Sequence, residues 1–404
     1  MKRVVITGTG IYSVLGTDLE TVKKSLYEGK SGIVFDEERK QTGFRSGLTG
    51  KIKRPELKGL LPRRMRIGLA EQGEYAYMAV KDALSQAKVD EEYLEKNIVG
   101  ILYGNDSSAS AVIEGWEKIK EKKDTSLVGS AGIFKQMNST VTMNLAVIFK
   151  LRGISLTVSS ACASSSHAVG LASMLIRNGM QDMIIAGGAQ EINAYATASF
   201  DGLAAFSVKE NEPAKALKPF DKDRDGLVPS GGGAALILES YEHAVKRGAP
   251  ILAEVLGFGF SSNGEHLTNP SVPGLKDAMN IALKDAGLKP SDIDYVNAHA
   301  TSTPAGDAKE AAAIYEIFGS KTPVSSTKSM TGHEMWMGGA GEIIYSLLAA
   351  QNDFIPPNIN FENPDEFSKN LNIIAKTKNM SFKTFLSNSF GFGGTNSSLI
   401  VRKL

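Results

Sequence analysis

Three side chains in this sequence are suited to acyl chemistry. The chain has a single cysteine, Cys162, in S-S-A-C-A-S-S-S-H, and only five histidines. Two of those, His299 and His333, fall in small, polar segments: N-A-H-A-T-S-T-P-A-G-D and S-S-T-K-S-M-T-G-H, the second also holding Lys328. A thiolate is a strong nucleophile towards a thioester carbonyl, and imidazole N–H groups can stabilise an oxyanion or enolate. The small neighbours Ala161, Ala163 and Ser164 to Ser166 leave room for another molecule to reach the sulfur. A lone cysteine can equally be a buried small hydrophobe, and a lone histidine a satisfied core residue, so each stretch alone leaves both readings open.

The elements that would carry these groups alternate. Ile154 to Val158 reads as a buried strand and Ala163 to Leu175 as a helix. Cys162 then sits at a strand-to-helix turn, where free N–H groups and the helix dipole favour a thiolate. Val4 to Ile6 opens the chain as a strand. The G-T-G-I-Y-S-V-L-G that follows lacks the glycine spacing of a dinucleotide site. Thr17 and Glu20 form a capping box for a helix ending near Gly29. Further strands are expected over 98–103, 182–188 and 231–238, implying a largely parallel sheet covered on both faces. From Pro250 the rhythm restarts, with G-F-G-F-S-S-N-G echoing the first strand. Two copies of one α/β unit, residues 1–245 and 246–404, are the economical reading.

Other clusters have plainer readings. Arg63, Arg64 and Arg66 read as a solvated loop or as a dock for an anionic partner. Lys118 to Lys123 read as a solvated helix face. Asp221, Asp223 and Asp225 begin a calcium-loop pattern, but Gly232 stands where its closing glutamate belongs, so ion pairing with Lys222 and Arg224 is expected. His243 reads as a helix-surface residue, His167 as packing and His266 as a loop residue.

A net charge of +1 over 404 residues excludes binding driven by bulk charge to nucleic acid or a membrane surface. One cysteine excludes an internal disulfide and fits a reducing compartment, with the cytoplasm as the expected location. No apolar run approaches a membrane span.

Together the four motifs S-S-A-C-A-S, N-A-H-A-T-S-T-P-A-G-D, S-S-T-K-S-M-T-G-H and N-S-F-G-F-G-G-T-N resemble, in order and end to end, the β-ketoacyl-acyl carrier protein synthases. These are the type I and II elongating condensing enzymes, and this chain is closer to type I. The resemblance implies a thiolase-like fold, two similar α/β halves in a five-layered αβαβα body. It implies an acyltransferase that condenses malonyl-carrier with an acyl thioester on Cys162, in fatty acid biosynthesis. His299 and His333 would act on the malonyl thioester, with Lys328 as the active-site lysine. Thr301 and Thr303 would line the pantetheine channel, and Phe392 would gate it. Backbone N–H groups of Cys162 and Phe392 would form the oxyanion hole.

No metal or redox cofactor is implied. The acidic acyl carrier protein is the implied partner, with Arg63, Arg64, Arg66 and Lys209 as docking candidates, and a homodimer is the implied assembly. Thiolases need a second cysteine, absent here, and initiating synthases carry asparagine at the position of His333. A discrete ketosynthase of a polyketide or polyene pathway, or a silent heterodimer partner, are the alternatives. The chain departs from the family at G-H-E-M-W-M-G-G-A-G, where Trp336 and Met337 replace small residues. After Gly104 it lacks the gating isoleucine of type II enzymes.

Overall fold

The computed structural model describes residues 1–404. Its centre is an eleven-stranded sheet. The strands are β1 (Val4–Ser13), β2 (Gly100–Gly104), β3 (Ser155–Val158), β4 (Met183–Gln190), β5 (Gly232–Ser240), β6 (Ala253–Ser262), β7 (Tyr295–Asn297), β8 (Pro323–Ser325), β9 (Asn372–Ile373), β10 (Thr384–Phe390) and β11 (Thr395–Lys403). Their order is β9-β8-β7-β10-β11-β6-β1-β5-β4-β2-β3.

The sheet is mixed. Strands β2, β3 and β4 are parallel at one end, and β7, β8, β9 and β10 at the other. Between them β4–β5, β5–β1, β1–β6, β6–β11 and β11–β10 all pair antiparallel. The expectation of a largely parallel sheet is therefore half right. Strands buried on both faces read as continuous apolar runs whichever way they point, so direction is not visible in their composition.

Six helices matter for the site: α1 (Glu71–Gln86), α2 (Ser164–Arg177), α3 (Ala194–Gly202), α4 (Val272–Ala286), α5 (Pro304–Phe318) and α6 (Gly338–Gln351). The buried apolar residues form three main clusters. One joins α1 to β2, β4 and β5, another joins α4 and α5 to β7 and β10, and the central one packs α2 and α6 against strands from both ends of the sheet. The apolar spacing of α2 and α6 explains their place: α6 is buried along nearly its whole length.

The glycine echo has a packing cause. A Cβ on Gly10 would lie 1.9 Å from the Ala79 carbonyl oxygen of α1, and one on Gly259 would lie 1.9 Å from the Ala278 carbonyl oxygen of α4. Each strand is crossed by a helix so closely that only glycine fits. G-T-G is thus strand interior, and β1 runs on to Ser13 past the expected end.

Three local expectations shift. The first helix, Leu19–Glu28, is capped by Asp18, which accepts from Thr21 N–H at 2.8 Å, so Thr17 is not the cap. Arg63 to Arg66 form a short helical turn of their own before α1. Finally β3, expected to be buried, is an edge strand with Ser155 and Leu156 exposed. Val158 packs against the central cluster, whereas the Leu156 side chain stays exposed.

Candidate active site

Cys162 lies in a 3₁₀ turn, Ala161–Ala163, between the end of β3 and α2. Ala161 takes a left-handed φ of 46°, which swings the sulfur off the helix axis into a cavity. On the exit from β7, His299 lies two residues beyond the carboxyl end of the strand. Both oxygens of buried Glu310, on α5, hold that exit: they accept from the N–H of His299 at 2.9 Å and of Ala300 at 2.7 Å. Asn388 donates to the same carboxylate at 3.2 Å. His333 lies between the short helix Lys328–Thr331 and α6, its backbone tied to Val228 and Ser230.

These loops bring the three groups together. His333 Nε2 is 3.0 Å from Cys162 Sγ, and one ligating atom each of Cys162, His299 and His333 lie within 4.8 Å of one another. The imidazole rings meet edge to face at 5.4 Å, and Phe390 packs 6.0 Å from His299. Met335 N–H donates to His333 Nδ1 at 3.3 Å. That leaves the ring proton on Nε2, facing the sulfur.

The sulfur faces donors. Besides His333 Nε2, the backbone N–H groups of Phe392 and of Cys162 itself point at it. Phe392 begins a turn whose next residue, Gly393, has φ 78°, a conformation that suits glycine and presents the preceding N–H inward. Even so, burial dominates and pushes the thiol up to about 12, with Lys328 and the two N–H groups working the other way. The expectation that the helix end favours the thiolate is corrected to this extent. The donors are present, but removal from water outweighs them.

Burial also holds His299 and His333 well below the ordinary histidine value, and the nearby Lys328 charge adds to this. Both rings are therefore neutral at neutral pH and can donate from one nitrogen each. Lys328 does not touch the sulfur. It is buried and ion-paired with Glu342 of α6. Burial raises Glu342 to about 7, against the pull of the lysine.

The cavity, about 290 Å³, is lined by Cys162, His299, His333, Thr301, Thr303 and Phe392, with Phe200 and His266 at its sides. The hydroxyls of Thr301 and Thr303 lie 3.1 Å apart. Every residue expected at the site is thus in or directly behind one cavity, apart from the docking candidates. Arg63 and Arg64 are exposed on their helical turn, and Arg66 donates to the Leu61 carbonyl at 3.1 Å. The Lys209 amine donates to the Asp223 carbonyl.

Sequence reasoning placed Glu310 in a helix but gave it no task, and it missed Glu334. That residue is buried, accepts from Tyr345 OH at 2.7 Å, and is raised by burial to about 8. An acid at the second turn of a helix following a histidine-bearing strand was the available signal for Glu310. His266 does line the cavity, while His243 is half-buried, 2.8 Å from Glu239 and 3.0 Å from Tyr93 OH. The Asp221 loop is closed by backbone: Asp221 accepts from Asp223, Glu362 and Asn363 N–H groups. Arg224 pairs with Asp365 at 2.6 Å, whereas Lys222 has no ion-pair partner.

Cys162, His299 and His333 also have the composition of a zinc ligand set. Ligation through His333 Nε2 would require its proton to leave, against the Met335 N–H that already occupies Nδ1. What the arrangement suits is anion stabilisation. A negative sulfur, or a carbonyl oxygen becoming negative beside it, would meet preformed donors from three directions.

Comparison with known proteins points the same way. Residues 1–244 match the family model "Beta-ketoacyl synthase, N-terminal domain" and residues 252–362 the corresponding C-terminal domain. The chain is 41% identical over 408 residues, the full length of both proteins, to 3-oxoacyl-[acyl-carrier-protein] synthase 1 of Escherichia coli K12. Among solved structures it is similar to a β-ketoacyl synthase from Burkholderia phymatum STM815, with TM-score 0.94 and 35% identity over all of both chains. It is also similar to the ketosynthase assembly AntDE:AntF, a type II polyketide acyl-carrier protein in complex with its hexaketide-bound ketosynthase. There the TM-score is 0.90 at 29% identity, over 100% of this chain and 99% of the other.

Proposed function

This chain belongs to the β-ketoacyl synthase family, and on that footing we propose that Cys162 is its acyl-carrying nucleophile and that His299 and His333 serve the malonyl half-reaction. The protein is an acyl-transferring condensing enzyme, a 3-oxoacyl-acyl carrier protein synthase of fatty acid elongation. It uses no cofactor beyond the carrier-bound substrates. The observation that carries the residue assignment is the 3.0 Å approach of a protonated His333 Nε2 to the sulfur, with His299 beside it in one buried cavity.

In the loading step the sulfur attacks the acyl thioester, the carrier C–S bond breaks, and the proton of the Cys162 thiol passes to the departing carrier sulfur, which leaves as the thiol. The oxyanion is held by the N–H groups of Cys162 and Phe392. Loss of one such donor typically costs about 3–4 kcal/mol. In the second step malonyl-carrier loses carbon dioxide. The enolate oxygen that remains receives hydrogen bonds from His299 and His333. Its carbon attacks the acyl carbonyl on Cys162, breaking the C–Sγ bond and releasing the cysteine sulfur as thiolate. Burial, with the Lys328 charge adding to it, keeps both imidazoles neutral, so that they act as hydrogen-bond donors and not as acids. Thr301 and Thr303 line the path of the pantetheine arm, with Phe392 at its inner end.

The carrier is acidic in this reading, so Arg63, Arg64, Arg66 and Lys209 are proposed to receive it. The two halves, 1–245 and 246–404, are proposed as duplicated units, supported by the paired glycine contacts. A cytoplasmic homodimer is part of the same proposal. It is supported by the uncovered edge of β3 and the exposed Phe134, Val147 and Leu156 on neighbouring segments. A polyketide pathway is the second reading, and the likeness to AntDE:AntF favours it only at lower identity.

The test is condensation by the purified protein with malonyl- and acyl-carriers. Cys162→Ala should abolish it. Cys162→Gln should abolish it while leaving malonyl decarboxylation, because the imidazole pair survives. Normal condensation by Cys162→Ala would remove the assignment.

A further inference from the structure

A small apolar cluster, distinct from the three main ones, stands beside the nucleophile. It holds Phe206, Leu227, Met335 and Trp336, with Phe200 and Ala161 packed against it. Ala161 precedes Cys162, while Phe200 and Leu227 line the cavity. Phe200 stacks on Phe392 at 5.8 Å and on Phe206 at 6.3 Å, and Trp336 lies 6.5 Å behind it with the rings tilted by 48°. Trp336 itself is 7% exposed and does not reach the cavity surface.

Its place is not explained by hydrogen bonding. The buried indole Nε1–H has no acceptor, and an unpaired buried donor costs roughly 1–3 kcal/mol. What the residue contributes is bulk. Phe200 and Leu227 form an apolar wall of the cavity that holds Sγ, and both belong to the cluster that packs on Ala161. The indole packs on Phe200 without lining the cavity, so a group pressing Phe200 outward on that side would meet the indole.

Resting on the reading of Cys162 as the acyl carrier, we propose that Trp336 is the residue that limits acyl chain length in this enzyme, so that short acyl groups are taken and long ones refused. Trp336 touches no reacting atom. It acts by holding Phe200 in place and occupying the volume beyond it.

The experiment loads the purified full-length protein with acyl-carriers graded in two-carbon steps and measures acylation of Cys162 by intact mass spectrometry. Trp336→Ala and Trp336→Leu are compared with the unmodified chain, with thermal unfolding as a check on folding. The expected result is that each variant accepts acyl groups one or more two-carbon steps beyond the original limit, at least about tenfold faster than the original chain does. Trp336→Leu, which keeps an apolar side chain, serves if the alanine variant does not fold. A folded variant with an unchanged limit would overturn the role of Trp336 alone. An original chain whose Cys162 takes no acyl group of any length would overturn the nucleophile assignment, and this proposal with it.

Discussion

Cys162 is surrounded by groups that give protons to hydrogen bonds and by none that accept the thiol's own. The buried neutral thiol therefore rests where an anion would be better served, and the reaction supplies that anion. Lys328 reinforces what burial does to the protonation of the partners. Burial depresses His299 and His333, and the lysine charge lowers them further. Replacing Lys328 with Met should let both imidazoles charge at higher pH. The pH profile of malonyl decarboxylation should then show an acid limb closer to the ordinary histidine value of 6.5, where the original chain stays flat. A profile with no shift would deny the lysine this task. The sequence revealed all four of these side chains through their motifs. It did not reveal the raised thiol, because burial depends on every element that closes over the sulfur.

At the scale of elements, precision comes from how helices and loops are tied to strands. Glu310 fastens the end of β7 to α5 through two backbone N–H groups. Glu310→Gln turns one acceptor into a donor facing an N–H, so it should cost about 1–3 kcal/mol of stability. It should also lower decarboxylation more than alkylation of Cys162, measured side by side. The glycines of β1 and β6 do comparable work for the sheet. Gly10→Ala and Gly259→Ala each force a methyl group against a helix carbonyl, and each should destabilise by about 1–3 kcal/mol or more in urea titrations. The glycine echo was legible as a repeat but not as a contact, since only the packed structure shows which backbone the missing Cβ makes room for. Likewise the short span of β3 was legible, whereas its exposed edge was not.

For the whole molecule, two consequences follow from what is buried and what is not. The proposed pairing across β3 predicts sedimentation at twice the 43.1 kDa chain mass, and Leu156→Lys should shift it towards the single chain, because that pairing would bury the new charge. Inside, Glu334 keeps its proton to about pH 8 in the fold, against an ordinary value of 4.5. The unfolded chain releases that proton first, so the contribution to stability is full below about 4.5 and is lost as pH rises towards 8. Glu334→Gln should accordingly gain in melting temperature relative to the original chain as pH is raised from 6 to 8.5.

The assignment of two imidazoles to one half-reaction is tested most directly in His333→Ala. Acyl loading of Cys162 and decarboxylation of malonyl-carrier are followed separately in single turnovers. Decarboxylation should fall by about 100-fold or more while loading falls far less. Equal loss of both, or loading as the more damaged step, would contradict the division of labour between the sulfur's backbone donors and the histidine pair.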